Sequence, residues 1–251
     1  MTALPPEFLA RPIAHRGYHD APSGRIENSP SAFASAIEAG YGIELDVQLS
    51  RDGVAMAFHD DHLARLTGED GPVRGRDATA LQRITLSGGS DTIPTLADVL
   101  TQVGGAVPLL IELKDQHGEM GETDGALERA TVAALSGYDG PVALMSFNPN
   151  MVSWLAELRP DIPRGLVTCA WHRSSAPSIP VDIRARLAGI PDFDRIGASF
   201  ISHDARDLNN PRVEQIKAQG HAVLCWTIRS AEQERAAREI ADNITFEGYA
   251  A

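Results

Sequence analysis

Short apolar segments, many of them rich in β-branched residues, alternate along this chain with stretches that carry helix signals. We predict strands at Pro12–His15, Ile43–Leu49, Leu109–Lys114, Val142–Ser146, Gly165–Thr168, Ile196–Ile201, Ala222–Thr227 and Asn243–Phe246. Strand–helix alternation with a period of roughly thirty residues favours right-handed βαβ units and a parallel sheet. About eight such units in a chain of 251 residues is the number and size of a closed (β/α)₈ barrel.

The stretches between the predicted strands have the residues that begin and end helices. Helices are predicted to begin at the capping residues Ser29, Thr95, Asn148 and Ser230 and at the start of "NPRVEQIKAQG". A doubly wound open sheet is the alternative fold, and it would favour a glycine-rich phosphate loop after the first strand. The turn there, "HRGYHDAPSGRIENSP", matches neither G-x-G-x-x-G nor a P-loop. The predicted fold class is therefore α/β, a (β/α)₈ TIM barrel.

One long span, residues 60–92, breaks the strand–helix rhythm because it is polar and glycine-rich. We interpret it as a small insertion after the second strand, inside a single domain that covers residues 1–251. A second irregular loop is predicted at Ser174–Asp182.

The balance of charge excludes some classes of partner. The chain has 22 Lys and Arg against 34 Asp and Glu, a formal net charge of −12, so we expect no non-specific binding to nucleic acid or anionic membranes. No apolar run reaches the ~20 residues of a membrane helix, and no signal peptide is found. Cys169 and Cys225 are expected to be reduced core thiols. We therefore expect a cytoplasmic protein without a stable membrane anchor, and its oligomeric state is left open.

The stretch "GIELDVQLSRDGVAMAFHDD", residues 42–61, begins with a strict alternation of apolar and polar residues. In an exposed sheet its polar face would lie in water, but a barrel strand has helices on one face and the barrel interior on the other. Glu44 and Asp46 would then occupy consecutive inward positions near the carboxyl end of the strand. Two unpaired carboxylates there are strongly disfavoured. A divalent cation, Mg²⁺ or Ca²⁺, is the usual remedy, because both prefer oxygen ligands.

The third predicted strand, "PLLIELK", repeats this pattern. Its alternation places Glu112 as a third inward carboxylate and Lys114 beside it as a cation for an anionic substrate. The alternative is an internal salt-bridge cluster of these two residues with Glu44 and Asp46. That alternative is weaker, since buried ion clusters rarely exceed apolar packing in stability.

Two strand ends supply groups suited to proton transfer and anion binding. The first predicted strand ends in "IAHRG", with His15 and Arg16, and the apolar run "VAMAFHDD" delivers His59 after an Arg-Asp-Gly turn. Arginine offers a planar fork for phosphate, and histidine titrates near neutral pH. Two histidines at the mouth of an acidic metal site are the groups that general acid–base chemistry needs.

Five further residues have two interpretations each. Glu27 and Asn28 are either ordinary polar residues at a helix start, or an outer ligand or orienting group at the metal. Phe147 and Trp226 end predicted strands, and they either form apolar walls of a substrate cleft or close the core. His203 follows a predicted strand end and is either solvated or part of the barrel mouth.

Six stretches together resemble the glycerophosphodiester phosphodiesterase family. They are "IAHRG", the following "EN", "IELDVQLSRDGVAMAFHDD", "LARLTG", "LLIELK" and "VLCWTI", and their order and spacing match from about Ile13 to Ile228. The resemblance implies a TIM barrel with a small insertion after its second strand. It also implies hydrolysis of glycerophosphodiesters to sn-glycerol 3-phosphate and an alcohol, with a divalent cation as cofactor.

The resemblance also assigns roles to particular residues. It implies metal ligation by Glu44, Asp46 and Glu112, acid–base chemistry by His15 and His59, phosphate binding by Arg16 and Lys114, and a place in the metal's surroundings for Glu27. One departure concerns the last strand, which in the family commonly ends in Thr-Asp-x-Pro. This chain ends in "DNITFEGYAA", with Glu247 and no proline, so the last rim of the barrel is expected to differ.

Three other functions share part of this pattern. A lysophospholipase D-type phosphodiesterase of the same superfamily has all the same motifs, so only its substrates separate it. A metal-dependent barrel lyase or isomerase would more typically use a lysine or paired acids as its base. A catalytically silent barrel that binds a metal or anion would need neither both histidines nor all three acids.

Overall fold

The computed structural model describes residues 2–174 and 176–251. The strands are β1 (Ile13–Ala14), β2 (Gly42–Leu49), β3 (Ala55–Ala57), β4 (Leu109–Leu113), β5 (Val142–Ser146), β6 (Arg164–Thr168), β7 (Phe200–Asp204), β8 (Ala222–Ile228) and β9 (Asn243–Phe246). The α-helices are α1 (Glu7–Ala10), α2 (Pro30–Ala39), α3 (Ala78–Leu81), α4 (Leu96–Val103), α5 (Ala126–Ala134), α6 (Pro149–Leu158), α7 (Val181–Ala188), α8 (Pro211–Ala218) and α9 (Ala231–Ala237). The loop predicted at Ser174–Asp182 lies partly outside the described residues, and α7 begins within it.

Eight of these strands form a closed parallel barrel in the order β1, β2, β4, β5, β6, β7, β8, β9. The ring closes because β1 pairs in parallel with both β2 and β9. The remaining strand, β3, folds back antiparallel on β2, with Val47 opposite Ala57. The predicted TIM barrel is confirmed. In such a barrel the carboxyl ends of all strands meet at one face, which is where active sites of this fold lie.

The two faces of each strand pack as the alternation predicted. Ile43, Leu45 and Val47 are fully buried in the apolar layer between barrel and helices. The interior is filled by a separate cluster that includes Leu110, Val167, Phe200 and Leu224, and Phe8 of α1 joins it. Near Phe8, the Asn243 side chain donates hydrogen bonds to the carbonyls of Phe8 and Arg11, 2.7 Å each. These contacts tie the N-terminal segment to the barrel.

One glycine is dictated by this interior packing. A Cβ atom added to Gly165 of β6 would lie 2.4 Å from the Phe200 ring. The ring of Phe200 occupies the space that any larger side chain at position 165 would need. This position therefore requires glycine for steric reasons rather than for its backbone freedom.

Helix starts were predicted well where a side-chain cap exists. The side chains of Ser29, Thr95, Asn148 and Ser230 each accept a backbone N–H at a helix start, and Thr95 forms a full capping box with Asp98. Four helices, α1, α3, α5 and α7, were not predicted. None of them has a side-chain cap hydrogen bond at its start. The interaction that the capping residues of the other helices make is therefore missing there.

The sixth barrel strand was predicted wrongly, at Ile196–Ile201 instead of Phe200–Asp204. The apolar run ends at Ile201, but the strand continues through polar residues because their groups are paired inside the fold. His203, which is fully buried, contacts Thr168 Oγ1 through Nδ1 at 2.7 Å, and its Nε2 lies 3.2 Å from Asp207 Oδ2. His203 is therefore neither solvated nor part of the barrel mouth.

Residues 60–92 contain α3 and a 3-10 turn at Val73–Gly75. Their apolar side chains form a small cluster of their own with β3 and its surroundings, which includes Met56, Phe58, Leu63 and Leu81. This separate cluster is consistent with an insertion on the barrel, and the division of the chain into one barrel domain plus insertion stays a prediction.

The structure bears on two expectations drawn from composition, one about the cysteines and one about membrane-spanning helices. Both cysteines are free and buried, and burial raises the pKa of Cys169 to about 11 and that of Cys225 to about 12. Within the described residues, no helix has the length and apolar character required to span a membrane.

Candidate active site

Three carboxylates meet inside the barrel near the carboxyl ends of β2 and β4. Glu44, Asp46 and Glu112 are buried, with relative exposures of 2%, 1% and 6%. Asp46 and Glu112 are direct neighbours in the parallel pairing of the two strands. One oxygen atom from each of the three carboxylates lies within 4.8 Å of the others. The inward alternation of β2 and β4 thus brings three acids from distant parts of the sequence to one point.

Lys114 compensates two of these three acids. Its Nζ donates to Asp46 Oδ1 at 2.8 Å and to Glu112 Oε1 at 2.6 Å. Burial opposes the ionisation of Asp46, but Lys114 and other nearby cations outweigh it and hold the pKa of this carboxyl well below its usual range. Burial also opposes the charge on Lys114, yet the two acids raise the pKa of its ammonium group.

Glu44 has no such cation bonded to its carboxylate. Burial, followed by the charges of Asp46 and Glu112, raises the pKa of Glu44 well above its usual value. Its Oε2 accepts the backbone N–H of Arg16 at 2.9 Å, which offsets only part of this cost. An internal salt-bridge cluster would leave this acid unsatisfied, so the structure weighs against the salt-bridge alternative.

The three acids fit a divalent cation in two respects. Their donor set consists only of carboxylate oxygens, which Mg²⁺ and Ca²⁺ prefer. Burial is the main cause of the raised pKa of Glu44, and the negative charges of Asp46 and Glu112, which converge with it at one point, raise it further. A bound cation would neutralise the charge gathered there.

Arg16 lies beside the carboxylates and is held by Glu27. The guanidinium NH1 is 2.6 Å from Glu27 Oε1, and Nε is 3.4 Å from Asp46 Oδ2. The backbone of Arg16 has a left-handed conformation, with φ of 56°, so its amide and its side chain both face the acidic cluster. Glu27 also binds Arg65. It therefore contacts guanidinium groups and lies outside the group of three carboxylates.

Asn28 is a residue of the site for which the sequence left two interpretations open, helix-start polarity or an orienting group at the metal. Its side chain donates to Asp46 Oδ2 at 2.9 Å and accepts the backbone N–H of Asp46 at 3.1 Å. Asn28 therefore binds one carboxylate oxygen of Asp46, and Lys114 binds the other. The only available signal was its place next to Glu27 in the "EN" motif.

His15 is held by Glu247, the acid found where the last strand departs from the family pattern. Its Nδ1 is 2.5 Å from Glu247 Oε2, and its Nε2 is 4.0 Å from Glu44 Oε2. Arg229 bonds the other carboxylate oxygen of Glu247 at 2.7 Å, and His19 Nε2 is 3.6 Å away. Burial lowers the pKa of His15, and the hydrogen bond to Glu247 offsets part of this.

Glu247 itself stays ionised. Burial opposes its charge, but the hydrogen bond from His15 and the charges of His15 and Arg229 lower its pKa far below the usual value. From the sequence, Glu247 was noted only because the last strand departs there from the Thr-Asp-x-Pro ending that is common in the family. Its pairing with a histidine 232 positions earlier depends on the closure of the barrel between β9 and β1.

His59 is held in the same way from the other side. Its Nδ1 is 2.6 Å from Asp60 Oδ1, and Arg65 binds both oxygens of that carboxylate. The hydrogen bonds lower the pKa of Asp60 despite the opposing effect of burial. In both histidines a carboxylate engages Nδ1, so Nε2 is the ring nitrogen left for other partners.

These residues share one narrow cavity at the carboxyl end of the barrel. The cavity has a volume of about 60 Å³, and its lining includes His15, Arg16, His59, Lys114, Phe147, Trp226 and the three carboxylates. A wider cleft of about 610 Å³ shares His59, Lys114, Phe147 and Trp226 with it. The structure therefore brings together every predicted site residue except Glu27, which reaches the cavity through Arg16.

The wide cleft has an aromatic wall. The ring of Phe147 forms edge contacts with Trp171 at 5.5 Å and with Trp226 at 5.6 Å between centroids. Trp171 was not predicted, because it follows β6 in a loop whose course cannot be read from periodicity. All three rings line the cleft.

Comparison with known proteins agrees with this geometry. The sequence profile of the glycerophosphoryl diester phosphodiesterase family matches residues 15–243. The chain belongs to this family. As a member, it is an enzyme, a phosphoric diester hydrolase of the glycerophosphodiester phosphodiesterase type.

Individual proteins similar to this chain are also phosphodiesterases by name. A glycerophosphodiester phosphodiesterase of Caldanaerobacter subterraneus is 30% identical over 177 residues, 64% of this chain and 69% of the relative. A phosphodiesterase of Oleispira antarctica, solved with the product sn-glycerol 3-phosphate, superposes with a TM-score of 0.75 at 26% identity, covering 96% and 93% of the two chains. The glycerophosphodiester phosphodiesterase of Thermotoga maritima, at 24% identity, shares the fold with a TM-score of 0.69 and 94% coverage of each chain.

Proposed function

We propose that this enzyme hydrolyses glycerophosphodiesters to sn-glycerol 3-phosphate and an alcohol, with Mg²⁺ or Ca²⁺ as cofactor. The observation that carries the proposal is the meeting of three buried carboxylates with two carboxylate-held histidines around one cavity. Glu44, Asp46 and Glu112 would hold the cation. Membership of the family and the product bound to the Oleispira antarctica enzyme support the choice of substrate.

Phosphate binding is assigned to Arg16 and Lys114. Both line the cavity, and both are held in place by acids rather than free to move. Their charges supply the local attraction that an anionic diester needs in a protein of net charge −12. When bound, the divalent cation would add Lewis-acid polarisation of a phosphoryl oxygen.

Proton transfer is assigned to His15 and His59. Glu247 and Asp60 fix the Nδ1 side of the two rings, which leaves each Nε2 to take or give a proton. One histidine removes the proton of the nucleophile while the other protonates the leaving alcohol. The nucleophile is either water or a neighbouring glycerol hydroxyl, and a cyclic phosphate detected by phosphorus NMR would select the second route.

The proposal is tested by the products formed from glycerophosphocholine. We expect sn-glycerol 3-phosphate and choline, whereas glycerol and phosphocholine would contradict the assignment. His15→Ala and His59→Ala should each lower kcat by about 10²-fold or more, because each removes a general acid or base. His117→Ala is the matched control, since this exposed histidine lies outside the cavity and should keep the wild-type rate.

A lysophospholipase D-type activity is the second candidate, and the wide cleft favours it. Its volume of about 610 Å³ and its wall of Phe147, Trp171 and Trp226 would accept an apolar chain. The ratio of kcat/KM for lysophosphatidylcholine to that for glycerophosphocholine decides between the two. A ratio well above one would favour the lysophospholipid.

A further inference from the structure

Two hydroxyl groups inside the barrel have no partner within the described part of the chain. Ser202 of β7 and Thr245 of β9 are buried, with exposures of 0% and 1%, and neither Ser202 Oγ nor Thr245 Oγ1 makes a hydrogen bond there. A buried hydroxyl left unpaired costs roughly 1–3 kcal/mol. Native proteins seldom retain such groups unless water, an ion or a ligand pairs with them.

Both residues line the narrow cavity that contains His15 and Glu44. They lie on the two neighbours of β8, and Trp226 of β8 stands between them with its Nε1 donating to the Ser202 carbonyl at 3.0 Å. The charged groups of the cavity come instead from β1, β2, β4 and the segments that follow them. The cavity therefore has an ionic side, which suits a phosphate, and a neutral hydroxyl side.

We propose that Ser202 and Thr245 form the subsite for the glycerol hydroxyls of the substrate. A hydroxyl donates one hydrogen bond and accepts others, so it pairs with a neutral polyol without a charge to be neutralised. The apolar side chains of Met145 and Val167 in the same lining suit the carbon chain of the glycerol. These contacts make the enzyme prefer glycerol phosphate esters to esters of alcohols without hydroxyl groups.

The two spaces of the site divide the substrate by size. The hydroxyl-lined cavity measures about 60 Å³ and accepts only one end of a small polyol, whereas the outer cleft measures about 610 Å³. The leaving alcohol, whatever its bulk, is therefore directed to the cleft. This inference takes the identity of its ligand from the proposed function.

The test compares the binding of two phosphate monoesters by calorimetry, with a divalent cation present. sn-Glycerol 3-phosphate and n-propyl phosphate share a three-carbon skeleton, and only the first has hydroxyls. We expect wild type to bind sn-glycerol 3-phosphate more tightly. Ser202→Ala and Thr245→Val should each weaken that binding by about 3- to 10-fold, the loss of one hydrogen bond, and leave n-propyl phosphate unchanged.

Thr131→Val is the matched control. Thr131 Oγ1 is also buried without a partner among the described residues, but it lies on α5 away from the cavity. Its loss should not change the affinity for either ligand. Thermal unfolding gives an independent readout: removal of an unpaired hydroxyl should leave the Tm unchanged or raise it, whereas a hydroxyl with a structural role would lower it.

Three outcomes would overturn the subsite. They are a wild type that binds both monoesters equally, variants that keep the wild-type preference, and variants that weaken both ligands alike, as expected if the hydroxyls only hold a structural water. The binding assay does not depend on turnover. A wild type that fails to hydrolyse glycerophosphodiesters, but shows the hydroxyl-dependent preference, would contradict the proposed function and leave the subsite standing.

Discussion

Glu247 offers the sharpest prediction, because it lies outside the family pattern and yet holds a proposed catalytic histidine. Its Oε2 is 2.5 Å from His15 Nδ1, and it is not among the residues that line the cavity. Glu247→Ala should therefore disturb the orientation and tautomer of His15 without removing a contact to the substrate. In kinetic terms kcat should fall while KM changes little.

The size of the effect follows from the hydrogen bond that is lost. A hydrogen bond to a charged group contributes roughly 1.5–3 kcal/mol, and 1.36 kcal/mol corresponds to a tenfold change in rate. If the transition state uses the whole of it, Glu247→Ala should lower kcat by about 10- to 150-fold. Glu247→Gln keeps a neutral acceptor at nearly the same place, so its kcat should lie between those of Ala and wild type.

Steady-state hydrolysis of glycerophosphocholine measures both parameters. Arg229→Gln is the matched control, because Arg229 binds the same carboxylate through its other oxygen from an exposed position. Exposed ion pairs contribute little, so kcat should change less than about fivefold. A folded Glu247→Ala enzyme with wild-type kcat, or one in which only KM rises, would refute the positioning role.

Two further predictions concern the packing of the fold. Gly165→Ala places a Cβ atom 2.4 Å from the Phe200 ring and should lower the free energy of unfolding by about 1–3 kcal/mol in denaturant titrations; Gly68→Ala, where nothing lies within 4 Å, should change it by less than about 0.5 kcal/mol, and equal effects would contradict the packing argument. The thiols of Cys169 and Cys225, with pKa values of about 11 and 12, should not react with Ellman's reagent at pH 8 in the native protein and should both react after denaturation; rapid native reaction would show that they are accessible.

The parts of this fold that sequence predicts best are those whose signals are local. Alternation along β2 and β4 places Glu44, Asp46 and Glu112 inward, because a side-chain period of two leaves no other choice once the opposite face is apolar. Helices with a capping side chain were predicted at their starts. Helix α7, which begins after Pro180 without a side-chain cap, was not.

The parts that sequence could not predict depend on distant elements. Glu247 meets His15 only because β9 closes the ring on β1. The polar end of β7 reads as a loop until Thr168 of β6 is known to contact His203. Ser202 was not predicted as a cavity residue, because the strand that carries it was predicted to end at Ile201, one residue earlier.

The central claim is that a cation held by Glu44, Asp46 and Glu112 is required for hydrolysis. The most direct measurement is the release of sn-glycerol 3-phosphate from glycerophosphocholine before EDTA treatment, after it, and after Mg²⁺ or Ca²⁺ is returned. We expect EDTA to abolish the release and one of these cations to restore it in wild type but not in Glu44→Gln. Undiminished release in EDTA, or full restoration in Glu44→Gln, would contradict the claim.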